Sequence, residues 1–363
     1  MDALDGLRGF AALIVVFSHT SNTGMLFIPF LDLQGIGKSG VFLFFLLSSF
    51  LLTLPLLHKG KEIFTLSVMS HYWQRRFFRI YPLYTLYLLL GVLSTWLIAS
   101  QLGQVGLGVP FALDWSGFLN HMLLQEGKGL TWSIVVEFKF YFVLPILALM
   151  VVYVRSYGMW ITLLFFLVLL VISQIISPQG ESFDNDARLL PYMPIFLIGM
   201  LLATIQYYIN AISNRRQQLA RVFRYLGYIG VIGILIMTPA VFSLFSGEIE
   251  RQYFHKDFIL YALLWSCVLM SAVNAPGYVQ SFFSLPALRF YGALSFSLYL
   301  FHPIFISVFK RLELDGHLTA WLVLAASTIS AYISFRLLEG PVSKFKITRK
   351  SLWSLFGRTR REI

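Results

Sequence analysis

The sequence predicts an all-α integral membrane protein with about ten transmembrane helices, and three observations lead there. Of its 363 residues, 58% are hydrophobic and only 12% are charged, against about a quarter charged in an ordinary soluble domain. The hydrophobic residues gather in continuous runs close to the length that crosses about 30 Å of hydrocarbon, roughly 20 residues each. The basic residues fall between those runs and concentrate on one side of the resulting zigzag.

The predicted spans are 9–28, 40–57, 80–99, 133–154, 159–176, 191–209, 226–246, 258–274, 290–308 and 318–336. The first follows Asp2, Asp5 and Arg8, carries His19 and lacks a small-residue cleavage site, so it reads as a permanent span and not a signal peptide. The second is dense in Phe and Leu, and the third follows the basic run HYWQRRFFRIYPLY. The fourth carries Glu137 and Lys139; the eighth holds the only cysteine, Cys267, which excludes an internal disulfide. All ten runs are continuous and do not alternate apolar with polar residues, which selects helices over barrel strands. With the N-terminus cytoplasmic, 19 of the 28 Lys and Arg residues lie in inside segments and 7 in outside ones, Lys139 and Arg336 falling within spans. That asymmetry orients the chain with both termini cytoplasmic. The net charge of +11 is therefore a topology signal, and no patch for nucleic acid is expected. Residues 1–340 read as one membrane domain and 341–363 as a short basic cytoplasmic tail. The outside connection 100–132, with Trp115, His121 and Trp132, has the composition to fold back into the interface.

Ionisable groups within a bilayer cost several kcal/mol (roughly) unless a cavity or partner receives them. His19 and Arg8 are eleven residues apart, almost three turns, so they share a helix face with about 16 Å of rise between them. That places Arg8 at the cytoplasmic mouth and His19 near mid-bilayer. A neutral imidazole there serves either as a general base or as a structural hydrogen-bonding group between helices. Arg76 and Arg79, three apart, share a face and suit phosphate, or simply orient the third span. Glu137 orients a base, binds a hydroxyl or pairs across helices; Lys139, two residues on, points elsewhere. Ser295, Tyr299 and His302 form one helical stripe that lines a substrate path or bonds helices together. Phosphate loops, HExxH, CxxC and GxSxG motifs and metal ligands at helical spacing are absent.

Taken in order, LDGLRGFAALIVVFSH, GVFLFFLLSSFLL, RRFFRIYPLY, LTWSIVVEFKFY, GALSFSLYLFHPI and LEGP resemble the acyltransferase-3 family of bacterial membrane O-acyltransferases, over nearly the whole chain. The resemblance implies transfer of an acyl group, most often acetyl, from a coenzyme A thioester to a hydroxyl of a carbohydrate, a lipid-linked sugar or a related envelope molecule. Acetyl-CoA would be a substrate and not a resident cofactor, and the location the bacterial inner membrane. His19 matches the family's essential histidine and Arg8 the arginine preceding it. Arg76 and Arg79 match the arginine pair implicated in handling the donor, and Glu137 the acidic residue of the fourth-span motif. Phosphates would dock at Arg8, Arg76 and Arg79, and the pantetheine arm would rise through a central polar tunnel to His19, where an acceptor arrives from outside. An acidic group is expected to hold the imidazole's tautomer, as in triad logic, but Asp5 lies too near the mouth. The chain departs from the family pattern in three places. Ser49 stands where glycine is frequent, predicting looser packing. Phe138 and Lys139 replace a second acidic residue and a glutamine. No extracytoplasmic hydrolase-like domain follows the last span, so the standalone form is expected. The competing reading is a proton-coupled transporter of an anionic or sugar substrate, with His19 and Glu137 as a proton relay; Gly/Pro-interrupted helices in matching halves are not evident.

Overall fold

The computed structural model describes residues 2–102, 113–211, 216–310 and 316–343. Among them every regular element is helical: α1 (Asp2–Ser21), α2 (Gly37–Lys59), α3 (Leu66–Leu102), α4 (Trp115–Met122), α5 (Thr131–Val154), α6 (Met159–Ile176), α7 (Met193–Ala211), α8 (Arg216–Ile236), α9 (Pro239–Ser246), α10 (Phe258–Asn274), α11 (Tyr278–Phe283), α12 (Pro286–Lys310), α13 (Gly316–Ser334) and α14 (Gly340–Ser343). Nine of the described helices are long and apolar enough to cross a membrane. Helix α10, with 17 residues, occupies the predicted 258–274 run and supplies a tenth. Most of the proposed tail, from residue 344, lies outside the described residues.

Three boundaries differ from the sequence reading. Helix α1 ends at Ser21, seven residues before the apolar run does. Gly24 takes a left-handed φ of 82°, which glycine adopts without the Cβ penalty other residues meet. The chain then doubles back, and Phe27 packs on Phe17 (4.5 Å between ring centroids) and Trp321 (5.3 Å). His19 consequently sits two residues from a helix end and not in mid-helix. Helix α3 starts at Leu66, inside the predicted loop 58–79, so Arg76 and Arg79 lie on continuous helix. At 37 residues and 1.5 Å per residue it is about 55 Å long, well beyond the hydrocarbon thickness. The predicted 226–246 span breaks before Pro239, the first residue of α9, where proline cannot continue the preceding ladder.

The contact that positions the site is the one between α1 and α12. A Cβ at Gly9 would run into the backbone of Leu288 and Gly292, and one at Gly292 into the Asp5 carbonyl. Only hydrogen at these positions lets the two backbones approach so closely, the small-residue packing that membrane helices use in place of a hydrophobic drive. Gly9 and Gly292 are 283 residues apart, as are His19 and His302. The two helices therefore run parallel and in constant register over ten residues. Helix α2 packs on α7 in similar fashion. Where Ser49 suggests looser packing the structure shows the reverse: Ser49 is fully buried, lies against Gly199 and donates to the Phe196 carbonyl at 2.5 Å. The glycine that the close approach needs is on the partner helix.

Between α4 and α5 the chain is held by His121, whose Nδ1 is 2.7 Å from the Gly117 carbonyl while its Nε2 accepts from the Lys128 amide at 3.1 Å. Beyond α13 a π-helical turn, Phe335–Glu339, leads into the LEGP segment, whose buried Glu339 accepts from Ser297 of α12 at 2.7 Å.

Candidate functional site

Helices α1, α2, α5 and α12 line two neighbouring cavities, together with α3 at the first and with loop residues at the second. The first is lined by Arg8, Arg76, Arg79, Glu137, Tyr141, Ser48 and Ser295 among others. The second contains His19, Asn22, Lys38, Trp132, Asp184 and His255. The lining residues common to both are Val41 and Tyr299. Three of these helices contribute residues to both cavities: Arg8 then His19 on α1, Ser48 then Val41 then Lys38 on α2, Ser295 then Tyr299 then Ser307 on α12. Residues three and four apart on a helix share a face, so one inward stripe per helix generates a single polar axis. Where one continuous tunnel is expected the structure has two separate cavities, with Val41 and Tyr299 as walls of both.

Charge dominates the first cavity. Among the described residues none of Arg8, Arg76 and Arg79 has a carboxylate within ion-pair distance. Arg8 donates to Ser295 Oγ at 3.2 Å, and the Arg76 guanidinium lies 5.9 Å from the centre of the Tyr141 ring. Glu137 is the acidic residue of the lining, and its Oε1 accepts from Tyr141 Oη at 2.6 Å. Three cations against one carboxylate leave the cavity positive, the condition for holding an anion out of bulk water. Glu137 thus sits with the arginines, and the structure does not bring it to His19. Lys139 reaches the other way and donates to the Ala187 carbonyl at 2.9 Å.

The second cavity is built around an imidazole pair. His19 Nδ1 and His302 Nε2 are 2.8 Å apart, with the rings stacked at 5.1 Å. His302 Nδ1 lies 3.1 Å from the Leu298 carbonyl, four residues back on α12. A carbonyl only accepts, so His302 carries its proton on Nδ1 and presents a bare Nε2. His19 must then donate from Nδ1, which leaves its own Nε2 unprotonated; this tautomer is assigned from hydrogen-bond partners. His302, grouped by sequence with Ser295 and Tyr299 as a substrate stripe, lines neither cavity and is fully buried. It stands where an acidic group is expected. Ser295 and Tyr299 do line the axis. Tyr299 Oη donates to the Leu130 carbonyl at 2.9 Å and is 2.8 Å from Ser133 Oγ.

At the far mouth, Lys38 Nζ bridges Asp184 at 2.9 Å and Asn185 at 2.9 Å, and lies 4.3 Å from the Trp132 ring centre. His255 Nδ1 is 3.4 Å from the same Asp184 oxygen. The approach of His255 and the Lys38 ammonium holds the Asp184 carboxyl well below the usual carboxylate range, against the opposing effect of burial. Sequence reasoning overlooked Lys38, Tyr141 and Ser133. Tyr141 was findable, because it follows Glu137 by four residues and must share its face. Lys38 resembled any basic residue at a span boundary, and its role depends on a loop nearly 150 residues away.

An acyltransferase domain model, that of the acyltransferase-3 family, matches residues 1–337. Relatives include the peptidoglycan O-acetyltransferase OatA of Listeria monocytogenes, 25% identical over 94% of this chain and 56% of that protein. The O-acetyltransferase OatA of Staphylococcus aureus is 23% identical over 95% of this chain and 57% of its own length. The chain thus spans a little over half the length of these relatives. No solved structure matches it. Matched along almost its whole membrane domain, this chain belongs to the acyltransferase-3 family.

Proposed function

We propose that the protein is a membrane O-acyltransferase that moves an acetyl group from cytosolic acetyl-CoA to a hydroxyl of a cell-envelope carbohydrate. The observation that carries this reading is a cavity of three arginines without a carboxylate at ion-pair distance that shares Val41 and Tyr299 as walls with a second cavity containing a tautomer-locked histidine. Coenzyme A is a polyphosphate with a long thin arm. Guanidinium groups bind phosphate through charge-assisted, often bidentate hydrogen bonds, and Arg8, Arg76 and Arg79 converge for that purpose. Glu137 holds Tyr141, whose ring faces the Arg76 guanidinium, so Glu137 acts on the donor cavity and not on the reacting atoms.

In the second cavity the acceptor hydroxyl meets His19 Nε2. The hydroxyl oxygen attacks the thioester carbonyl carbon as its proton moves to Nε2. The tetrahedral intermediate collapses by breaking the C–S bond, and the departing thiolate takes the proton from the imidazolium. His302 serves as a positioning residue: its Nε2 accepts from His19 Nδ1 throughout, and that bond strengthens when His19 becomes charged. A neutral imidazole thereby replaces the carboxylate of the usual triad, fixing orientation without adding negative charge.

This reading requires the arginine cavity to face the cytosol and the Asp184 loop to face outward, as the distribution of basic residues favours. Cysteines placed in 177–190 or 247–257, in a Cys267→Ala background, should react with an impermeant reagent on intact cells; reaction only after permeabilisation reverses the orientation. For the chemistry, His19→Gln should lower acyl transfer by roughly 10²–10⁴-fold, the usual worth of general-base help, with acetyl-CoA affinity unchanged. A loss of only a few-fold would show that His19 is a packing residue, and tight donor binding without any transfer in the unaltered protein would favour transport.

A further inference from the structure

Helix α8 carries a stripe that acyl transfer leaves without a role. Arg221, Arg224, Tyr228, Val231 and Leu235 follow one another at intervals of three and four residues, so they lie along one face of the helix. The last three line a groove between α8 and α11, whose lining continues with Phe10 of α1 and Trp265 of α10. Every lining residue is apolar or aromatic. The lips Ile232, Leu235, Tyr278 and Phe282 are exposed, whereas Trp265 is buried, with its ring 6.2 Å from that of Phe10. Helix α8 cannot sink inward to close the groove. A Cβ at Gly227 would strike the Ser271 side chain and one at Gly230 the Leu264 carbonyl, so α8 already rests on α10. At one end of the groove Arg224 reaches across to the turn between α10 and α11 and donates to the Pro276 carbonyl at 2.9 Å. Among the described residues neither Arg221 nor Arg224 has a carboxylate within ion-pair distance.

We propose that this groove binds one anionic phospholipid, with an acyl chain along Tyr228, Val231 and Leu235 and the headgroup phosphate held by Arg221 and Arg224. Length selects this occupant first. Arg224 and Leu235 are eleven residues apart, about 16 Å of rise, which matches one leaflet of a hydrocarbon core about 30 Å thick. A partner transmembrane helix would need a seat about twice as long. Charge selects it next, because the stripe is cationic at one end and apolar beyond, as a phospholipid is anionic at one end and apolar beyond. Guanidinium groups bind phosphate through charge-assisted, often bidentate hydrogen bonds, and basic clusters at a membrane surface favour anionic lipid. The arginine end also lies level with the start of α1, since Gly6 abuts the Phe283 backbone; that is the side of the arginine cavity. A chain in the groove supplies the dispersion contacts that its walls otherwise lack. Through Phe10, two residues from Arg8, the lipid buttresses the helix that carries Arg8 and His19.

The test reads binding and not acyl transfer. The full chain is reconstituted in phosphatidylcholine bilayers that contain a small fraction of dibrominated phosphatidylglycerol or, separately, dibrominated phosphatidylcholine. Bromine quenches a neighbouring tryptophan, and Trp265→Phe supplies the background from the other tryptophans. Quenching of Trp265 should favour phosphatidylglycerol by about 5- to 30-fold in concentration, the worth of one or two arginines at an anionic headgroup. Replacing both arginines, Arg221→Gln with Arg224→Gln, should bring the two lipids to equal quenching. Val231→Phe, which fills the groove, should reduce quenching by both. Native mass spectrometry of the unaltered protein needs no variant and should show a phosphatidylglycerol adduct that survives activation which strips phosphatidylcholine. Equal quenching by the two lipids in the unaltered protein overturns the proposal, as does a preference that persists without both arginines. So does a Trp265 that neither lipid quenches, because a second copy or another helix then covers the groove. None of these results touches the acyltransferase reading.

Discussion

Removing His302 isolates the contribution of tautomer control. In His302→Leu the buried Nδ1–H of His19 loses its acceptor at 2.8 Å. An unsatisfied buried donor costs about 1–3 kcal/mol, and at about 1.4 kcal/mol per tenfold in rate this corresponds to a fall in kcat of about 5- to 150-fold. A larger loss follows if the ring then takes up the other tautomer, because Nε2 becomes a donor and the base disappears; enforcing the wrong tautomer in a serine-protease triad costs about 10⁴-fold. His302→Gln should recover much of the rate, since its amide oxygen can accept from His19 Nδ1. The assay is steady-state acyl transfer with donor Kd measured separately, and a thermal melt establishes that each variant is folded. The mechanism predicts loss in kcat, unchanged Kd and rescue by glutamine. Wild-type kcat in folded His302→Leu would refute the tautomer argument, and equal losses in both variants alongside a lowered melting temperature would make His302 a packing residue only.

Other perturbations have defined outcomes. Arg76→Ala and Arg79→Ala should each weaken acetyl-CoA binding by about 10- to 150-fold, from loss of a charge-assisted hydrogen bond worth about 1.5–3 kcal/mol, with lysine restoring only part; calorimetry on purified protein measures it, and unchanged Kd would make both arginines topological. At the far mouth, His255 and Lys38 hold the Asp184 carboxyl below its ordinary value of 3.8. Its contribution to stability is therefore fully present above pH 4 and is lost as pH falls through the depressed folded value. Across pH 5–8 the contribution of the Asp184 carboxyl to melting temperature should accordingly be constant, whereas below pH 4 the unaltered protein should lose stability faster than Asp184→Asn; parallel acid limbs for the two proteins would contradict the tie to Lys38 and His255.

The sequence by itself determined what the bilayer dictates. A span must be helical and near 20 residues because its backbone polar groups find no other partners in hydrocarbon, so α5, α6, α7, α10 and α12 lie close to where apolar runs place them. The meeting of Arg8, Arg76 and Arg79 was expected only from the family resemblance, because arginines at a span boundary equally well orient the span. Tertiary structure alone decided which groups meet. The pairing of His19 with His302 depends on the parallel register of α1 and α12, set by the close approach at Gly9 and Gly292. Helices that are apolar all round carry no periodic signal for which face meets which neighbour. Glu137 lies with the arginines because α5 turns that face toward α2 and α3, and Val41, an ordinary apolar residue in the sequence, is a wall of both cavities only in the folded chain. Hydrophobicity specifies that a helix crosses the membrane; van der Waals fit between backbones specifies how it is rotated, and the chemistry of this axis follows from that rotation.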